Sequence, residues 1–349
     1  MSRSRIARTR SVAILGLILG SAVVGVGPAF AQSLDIPSKT WGLSFGNSRD
    51  FTGLRFNFRD SRVRRVSGVN VTLWQPRKDN KESVVQGISL GLIPGGGEMK
   101  GIQIGILGPA AEKTMTGLNI GFIGAGAGQD VTGLNIGGIG AGAGGSVKGI
   151  TIGGLGVGAG EDLSGLNLGG LGAGAGKNVV GLTIGGIGAG AGESMTGINI
   201  GGVGIGAGKD VSGLNVGGVG VGAGRMVKGI TLAGVGAGAG ERLVGLVVCG
   251  LAAGAPEVHG VLIAGIGGGG KDITGVFIGG AMIRIEQNGH LNGLALSSVN
   301  YLKGTLNGLS IGIVNYAWHL GKGLQVGLVN IVRDNPAGLK VLPVFNTHF

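Results

Sequence analysis

Glycine and apolar residues recur along the chain in a regular pattern sixteen residues long. One glycine starts each repeat through the middle of the chain: Gly101, Gly117, Gly133, Gly149, Gly165, Gly181, Gly197, Gly213, Gly229 and Gly245. Numbered from this glycine, a typical repeat reads GLNIGGIGAGAGGSVK, with apolar residues at positions 2, 4, 7, 9, 11 and 15. Later repeats follow steps of fifteen or eighteen residues and start at Gly260, Gly275, Gly293, Gly308, Gly323 and Gly338. An earlier repeat starts at Gly87, and weaker echoes begin at Gly53 and Gly68.

The alternation within each repeat predicts β-strands. Apolar residues at positions 2 and 4 indicate one strand with these side chains inside, and those at 7, 9 and 11 indicate a second strand. The change of phase between the two strands predicts a bend at glycines 5 and 6, where glycine tolerates a positive φ. Positions 12 to 16 hold the charged residues and predict a turn.

These features together predict an all-β fold, a glycine-rich parallel β-solenoid with coils of fifteen to sixteen residues. Two or three short strands in each coil surround a thin apolar core, and alanine at positions 9 and 11 brings the two walls together. The seventeen unit starts from Gly87 to Gly338 predict a rod about 75 Å long, at the usual spacing between neighbouring strands.

An outer-membrane antiparallel β-barrel is the alternative fold. The chain ends in Phe349, with Phe345 and Val341 on the same side of a strand-like alternation, which resembles the last strand of such a barrel, although Thr347 and Pro343 interrupt the alternation. A barrel strand keeps one apolar face over about ten residues and is flanked by aromatic girdles. The predicted change of phase and the scarcity of aromatic residues between Gly117 and Gly250 favour the solenoid instead.

Position 3 carries a row of amide and hydroxyl side chains. Its members are Asn119, Asn135, Thr151, Asn167, Thr183, Asn199, Asn215 and Thr231. Because position 3 lies between positions 2 and 4, the alternation predicts that the row faces outward. Two interpretations follow, a hydrogen-bonded ladder that stabilises the stack or a flat surface that binds ice or polysaccharide.

The chain divides into four segments. Residues 1–31 are predicted to be a secretory signal peptide, with an arginine-rich start, an apolar stretch and a small-x-small cleavage site after Ala31. Residues 32–85 contain more charged and aromatic residues and are predicted to form an N-terminal cap, which a stack of strands needs at its ends. Residues 86–274 form the repeat array, and residues 275–349 form divergent repeats and a C-terminal cap.

Composition disfavours an ordinary enzyme. Of 349 residues 84 are glycine, and only 13% are charged and 4% aromatic, which leaves little material for a bulky core or a polar site. A hydrophobic fraction of 43% also disfavours disorder. The formal net charge is +11, and nine basic residues against four acidic ones lie between Arg49 and Glu82. An export signal argues against nucleic acid as a partner for this patch, so the interpretations are solvated strand faces or contact with anionic lipid.

No motif in the chain predicts a catalytic, cofactor-binding or metal-binding residue. Ser89 and Ser310 each lie in a G-x-S-x-G match, but both occupy position 3 of the repeat, so periodicity explains the match. The G-x-x-x-x-G-K run that ends at Lys271 is followed by aspartate instead of the serine or threonine of a phosphate loop. The four histidines are separated by about two coils each, too far for one metal. Cys249, the single cysteine, is interpreted as a small filler.

The tail from Gly308 to Phe349 resembles a bacterial surface-repeat family whose units read G-L-x-[IV]-G-[LI]-V-N. The matching residues are Gly308, Leu309, Ile311, Gly312, Val314, Asn315, Gly323, Leu324, Val326, Gly327, Val329 and Asn330. The match extends loosely back to Gly87, where glycine or alanine mostly replaces the V-N pair. The resemblance implies an exported or outer-surface protein without an assigned activity, and it implies no chemistry.

The sequence therefore predicts an exported, non-enzymatic repeat protein of the cell envelope that acts as a scaffold or interaction surface. An outer-membrane pore and an ice- or polysaccharide-binding protein are the alternatives. The predicted location is the periplasm, the outer membrane or the cell surface. Candidate partners are an envelope protein, lipid or polysaccharide, and the ends of the solenoid offer a route to self-association.

Overall fold

The computed structural model describes residues 33–348, and the predicted signal peptide lies outside them. Strands make up most of this part of the chain. Those of the N-terminal section are β1 (Leu34–Pro37), β2 (Trp41–Phe45), β3 (Asp50–Arg59), β4 (Arg65–Trp74), β5 (Val84–Gly91), β6 (Gly95–Gly105) and β7 (Ala110–Gly121). One turn of 3-10 helix, Lys78–Asn80, connects β4 and β5.

Each coil of the central array has two strands, one of seven or eight residues and one of four or, in β24, three. They are β8 (Gly124–Ala127), β9 (Asp130–Gly137), β10 (Gly140–Ala143), β11 (Val147–Gly153), β12 (Gly156–Ala159), β13 (Leu163–Gly169), β14 (Gly172–Ala175), β15 (Val179–Gly185), β16 (Gly188–Ala191), β17 (Ser194–Gly201), β18 (Gly204–Ala207), β19 (Asp210–Gly217), β20 (Gly220–Ala223), β21 (Met226–Ala233), β22 (Gly236–Ala239), β23 (Arg242–Cys249) and β24 (Ala252–Gly254). The last strands are β25 (Glu257–Ala264), β26 (Gly267–Gly279), β27 (Met282–Leu296), β28 (Val299–Ile311), β29 (Val314–Val332) and β30 (Val341–Thr347). Of these, β26 to β29 are longer than the strands of the array, with 13 to 19 residues.

The strands stack as a parallel β-solenoid of about 17 coils of about 16 residues, as the sequence predicted. From β8 to β25 long strands pair with long strands and short with short, one coil apart, and the repeat glycines lie in register, for example Gly149 beside Gly133 and Gly165. At the two ends of this array the short strands β8 and β24 pair with the long strands β7 and β26. The antiparallel alternative is wrong, because pairing is parallel from β2 to β29. No helix among residues 33–348 is long and apolar enough to cross a lipid bilayer.

Each end of the stack carries one antiparallel strand. At the N-terminal end β1 pairs with β2, and at the C-terminal end β30 pairs with β29. Parallel pairing already begins between β2 and β3, so the segment assigned to a cap contains coils of the solenoid. Gly338 lies between β29 and β30 and starts no further coil. The two antiparallel strands cover edges that would otherwise recruit other strands.

The core consists of odd-numbered positions. Position 15 is buried, with Val147, Leu163 and Val179 fully excluded from solvent, and position 9 on the opposite strand is buried too, as at Ala141 and Ala173. The prediction that positions 2 and 4 face inward is wrong. Position 3 shares the side of position 15 because strand side chains alternate with a period of two. The interior therefore holds the apolar side chains of positions 15 and 9 together with the asparagine and threonine of position 3, and the apolar residues of positions 2 and 4 lie outside.

The positive-φ glycine lies at position 1, in the middle of the long strand. Gly181, for example, has φ +115°. The glycines at positions 5 and 6 of the array have no left-handed φ, so the prediction that a positive φ bends the chain there is wrong. A β-carbon on Gly181 would lie 2.3 Å from the carbonyl oxygen of Gly165 in the preceding coil. The inward positions are odd in both strands, and the phase does not change between them.

Hydrogen bonds to Asp35 attach the strand β1 to the stack. Its carboxylate accepts bonds from Ser48 Oγ at 2.6 Å and Ser33 Oγ at 2.7 Å. Burial raises the pKa of Asp35, but bonds from Ser44, Ser48 and Ser33 outweigh burial and lower it below its ordinary value of 3.8. A carboxyl whose pKa is lowered on folding contributes stability above its unfolded pKa, and this contribution disappears as the pH falls through the folded pKa.

We expect β1 to detach before the rest of the fold as the pH falls below 3.8. Amide hydrogen exchange, corrected for the intrinsic rate at each pH, would show lower protection in β1 and β2 at low pH while the central coils keep theirs. The variant Asp35→Asn should lose this pH dependence. Equal protection of β1 at both pH values would contradict the assignment.

Candidate functional site

The position-3 row, the candidate binding surface, lies inside the solenoid. Asn119, Asn135, Thr151, Asn167, Thr183, Asn199, Asn215 and Thr231 all have 0% exposure. The prediction that this row faces outward is wrong, because the alternation is set by the buried residues at position 15. The row therefore offers no surface to ice or polysaccharide in the folded protein.

Inside the coils the row forms a partly hydrogen-bonded ladder. Asn119 Nδ2 donates to Asn135 Oδ1 at 2.6 Å, and Asn199 Nδ2 donates to Asn215 Oδ1 at 3.0 Å. Both amide atoms of Asn167 lack a hydrogen-bond partner. The ladder is continued near the C-terminal end at another position, where Asn300 and Asn315 each donate at 2.8 Å to the next asparagine. The row belongs to the structure of the stack, and its unpaired atoms make it a costly part of that structure.

The outer surface of the long strands carries the apolar residues that were expected inside. Positions 2 and 4 form two rows of leucine, isoleucine and valine, and exposure reaches 47% at Ile230. Position 7, at the corner after the long strand, forms a third row in which Ile187 is 53% exposed. These rows, named here the apolar face, run along the whole array. Large exposed apolar patches on soluble proteins mark interaction surfaces.

Glycines at positions 8 and 10 make the neighbouring outer surface of the short strands flat. A β-carbon on Gly158 would meet no atom within 4 Å, and one on Gly206 would lie 4.0 Å from the nearest. The coil itself therefore has space for side chains at position 10 in these coils. A surface without side chains lets another backbone or a flat partner approach closely.

Charged residues occupy the opposite edge, around positions 13 and 14. Ion pairs join neighbouring coils there, with Lys177 Nζ 3.0 Å from Glu161 Oε1 and Lys209 Nζ 2.9 Å from Glu193 Oε2. A hydrogen bond from Arg225 lowers the pKa of Asp210. Such exposed pairs contribute little to stability, because water and salt screen them. In cross-section the rod has one charged edge and one apolar corner.

The basic N-terminal patch is only partly a surface feature. Arg55 is buried at position 3, where its guanidinium donates to Asp60 at 2.6 Å and to Asn70 at 2.7 Å. The other acidic residues of the patch pair with Arg62, Arg64 and Lys113. Several cationic side chains of the patch remain exposed, and they share an end of the rod with six aromatic residues, Trp41, Phe45, Phe51, Phe56, Phe58 and Trp74.

Residues that could have carried chemistry are placed apart from one another. Ser89 and Ser310 are buried inside the coils, and Ser310 donates to Asn315 at 2.8 Å. Burial raises the pKa of the Cys249 thiol more than a backbone hydrogen bond at Ala237 lowers it. His290 Nδ1 lies 2.8 Å from Asp272. Within residues 33–348, no group of three or more histidine, cysteine, aspartate or glutamate residues is arranged to hold a metal ion.

Comparisons with protein-family models, with characterised proteins and with solved structures found no significant match. The similarity of the tail to a surface-repeat family stays a prediction. The surfaces themselves are thus the basis for any functional inference.

Proposed function

We propose that this protein is an exported, non-enzymatic scaffold of the cell envelope, which presents a long apolar face to a partner. The observation that carries the proposal is the unbroken apolar face at positions 2, 4 and 7 on the outside of a rigid rod. The fold buries amides and exposes rows of isoleucine. These exposed apolar side chains favour contact with a partner, since burying apolar surface is the dominant favourable contribution to association.

The distribution of charge supports the same function. Carboxylates and ammonium groups lie along one edge, where pairs such as Lys177 and Glu161 connect the coils. The apolar face has a polar margin at position 16, with Lys148 and Lys228 exposed. An apolar centre with a polar rim is the usual anatomy of a protein interface.

The signal-like start of the chain supports export. Residues 1–31 have the charged, apolar and small-residue regions that a secretory signal has. Expression of the full chain, followed by cell fractionation and terminal sequencing of the mature protein, tests this part. A mature protein in the cytoplasm that still begins at its first residues would contradict it.

Charges on the apolar face should release the protein from the envelope. We expect the triple variant Ile150→Lys, Ile198→Lys and Ile230→Lys to fold and to lose at least about tenfold of its retention in urea-washed envelope fractions, because lysine is costly to desolvate in an apolar contact. The measurement is the ratio of pelleted to soluble protein, with circular dichroism to confirm the fold.

A matched variant places the same three charges on the polar margin. Thr116, Thr132 and Thr196 lie at position 16, where lysine already occurs naturally, and their replacement by lysine should leave retention unchanged. Equal release by both sets of substitutions would show that added charge alone matters. Unchanged retention of the isoleucine variant would contradict the role of the face.

A further inference from the structure

The first coils differ from the rest at position 6. Large apolar residues occupy this position in five successive coils, namely Phe58, Leu73, Leu92, Ile106 and Phe122. From Gly138 to Gly280 the position is glycine. These side chains contribute little to the core, since Phe122 is 80% exposed and Ile106 66% exposed. The coil does not need them, so their presence calls for another explanation.

Together with position 4 they form an apolar cleft on the outside of the rod. The cleft has a volume of about 910 Å³, and Leu90, Ile104 and Ile120 line it at position 4. Leu73 and Trp74 lie near one end and Phe122 at the other. Four coil steps separate Phe58 from Phe122, which gives a length of about 19 Å, comparable to an extended long-chain fatty acid. The volume lies within the usual range of ligand sites, roughly 300 to 1,000 Å³.

The lining of the cleft is uncharged, and the nearest cations in the chain follow its residues Phe58 and Trp74. Arg59 is the neighbour of Phe58, pairs in register with Trp74 and donates from Nε to the Gln75 carbonyl at 3.0 Å. Arg77 and Lys78, a few residues after Trp74, line a second hollow, which Glu112 also borders.

These three cations are available to a ligand. Arg59, Arg77 and Lys78 are exposed and form no ion pair within residues 33–348. The acidic side chains of the same segment are already paired, for example Asp50 with Arg64. The unbalanced charge at this end of the cleft is therefore positive.

We propose that this cleft binds a long-chain fatty acid, with the acyl chain along positions 4 and 6 and the carboxylate at Arg59. An apolar trough suits the chain, and a guanidinium is the best-matched partner for a carboxylate, since it can donate two parallel hydrogen bonds. The cleft shares its position-4 residues with the apolar face, but the proposal does not rest on the proposed function, because ligand binding can be measured on the isolated protein without a partner.

Binding of oleate to the full mature chain tests the proposal, with oleyl alcohol as the uncharged probe. We expect saturable binding of oleate by titration calorimetry below its micellar concentration. Arg59→Gln should weaken oleate binding about tenfold and change oleyl alcohol binding little. Phe122→Gly introduces the residue found at this position in the next coil. This variant and Ile106→Lys should weaken the binding of both probes by about tenfold or more.

Leu155→Ser is the matched control, because it removes an exposed apolar side chain outside the cleft, and it should leave binding unchanged. Thermal melts identify any variant that fails to fold. If Ile106→Lys fails to fold, Phe122→Gly and Arg59→Gln still test the proposal. Absence of saturable oleate binding would overturn the proposal. A concentration-dependent dimer that Phe122→Gly dissociates, with oleate binding unchanged, would also overturn it. So would binding of the protein only to vesicles, to the same extent in all of these variants. Equal affinity for both probes would overturn the assignment of Arg59.

Discussion

Replacing Gly181 by alanine is expected to unfold the coils around it. The new β-carbon would lie 2.3 Å from the backbone oxygen of Gly165, at a φ of +115° that residues with side chains rarely adopt. We expect a destabilisation on the order of 3 kcal/mol or more, because neither the backbone contact nor the φ can relax without breaking the stack. Urea denaturation and hydrogen exchange across the central strands measure it, and loss of protection should centre on β13, β15 and β17, since each coil contacts its neighbours.

Gly206→Ala is the matched substitution. Gly206 lies at position 10 on the outer surface, where the β-carbon of an alanine would be 4.0 Å from the nearest atom, and its φ is not left-handed. We expect this variant to be unchanged or more stable by up to about 1 kcal/mol, since alanine loses less entropy than glycine on folding. A similar loss of stability in both variants would show that the space at position 1 is not what makes glycine necessary.

Replacing Asn167 by lysine is expected to have a comparably large effect. Asn167 has 0% exposure, and the inside of the coil has no acidic side chain near it among the described residues. A buried ammonium without a partner costs several kcal/mol, so we expect a loss on the order of 3 kcal/mol or more. If the row formed a surface instead, the lysine variant would keep the stability of the native protein. Chemical denaturation followed by circular dichroism distinguishes the two outcomes.

Two gentler substitutions at the same position complete this test. Asn167→Thr copies the flanking coils, which have Thr151 and Thr183, and should change stability by less than about 1 kcal/mol. Asn167→Val removes two buried atoms that have no hydrogen-bond partner, and Val247 already occupies the row in a later coil. We expect the valine variant to be as stable as the native protein or more so. A large loss with valine would mean that the amide makes an essential contact.

Much of the architecture follows from the repeat alone. The regular return of glycine at every sixteenth residue, with strand-like alternation between, predicted stacked parallel coils. It also predicted two or three short strands in each coil around a thin core, with alanine at positions 9 and 11 inside, and each coil of the array has two strands. Glu161 and Lys177 were expected in the turns and lie there as an ion pair between neighbouring coils.

The orientation of the long strand could not be taken from its alternation, because apolar residues at positions 2 and 4 fit either side. A further signal was present in the sequence. Val131 and Asn135 are four residues apart and must share a side of the strand, as must Ala141 and Ala143 in the short strand. Taking positions 15, 9 and 11 as inward places position 3 inside, which is what the structure has.

The cleft could not be predicted from the sequence, because its residues come from five coils and are far apart in the chain. Phe58 and Phe122 line the same cleft only because the coils stack at the strand spacing. Nothing local marks them as a pair, although the change from bulky residues to glycine at position 6 is visible once the register is known.

The sequence by itself determined the period, the parallel stack and the charged edge, because these depend on local alternation and on glycine, whose effects act within one coil. Only the tertiary structure decided which rows are inside and which residues meet across coils. The reason is that the packing across the interior sets which side of a strand faces inward. Positions 15 and 9 pack together there, with side chains as large as Leu163 and Ile205, and the period of two places position 3 beside them. The apolar residues of positions 2 and 4 consequently lie outside, where they form the apolar face and, with position 6, the cleft.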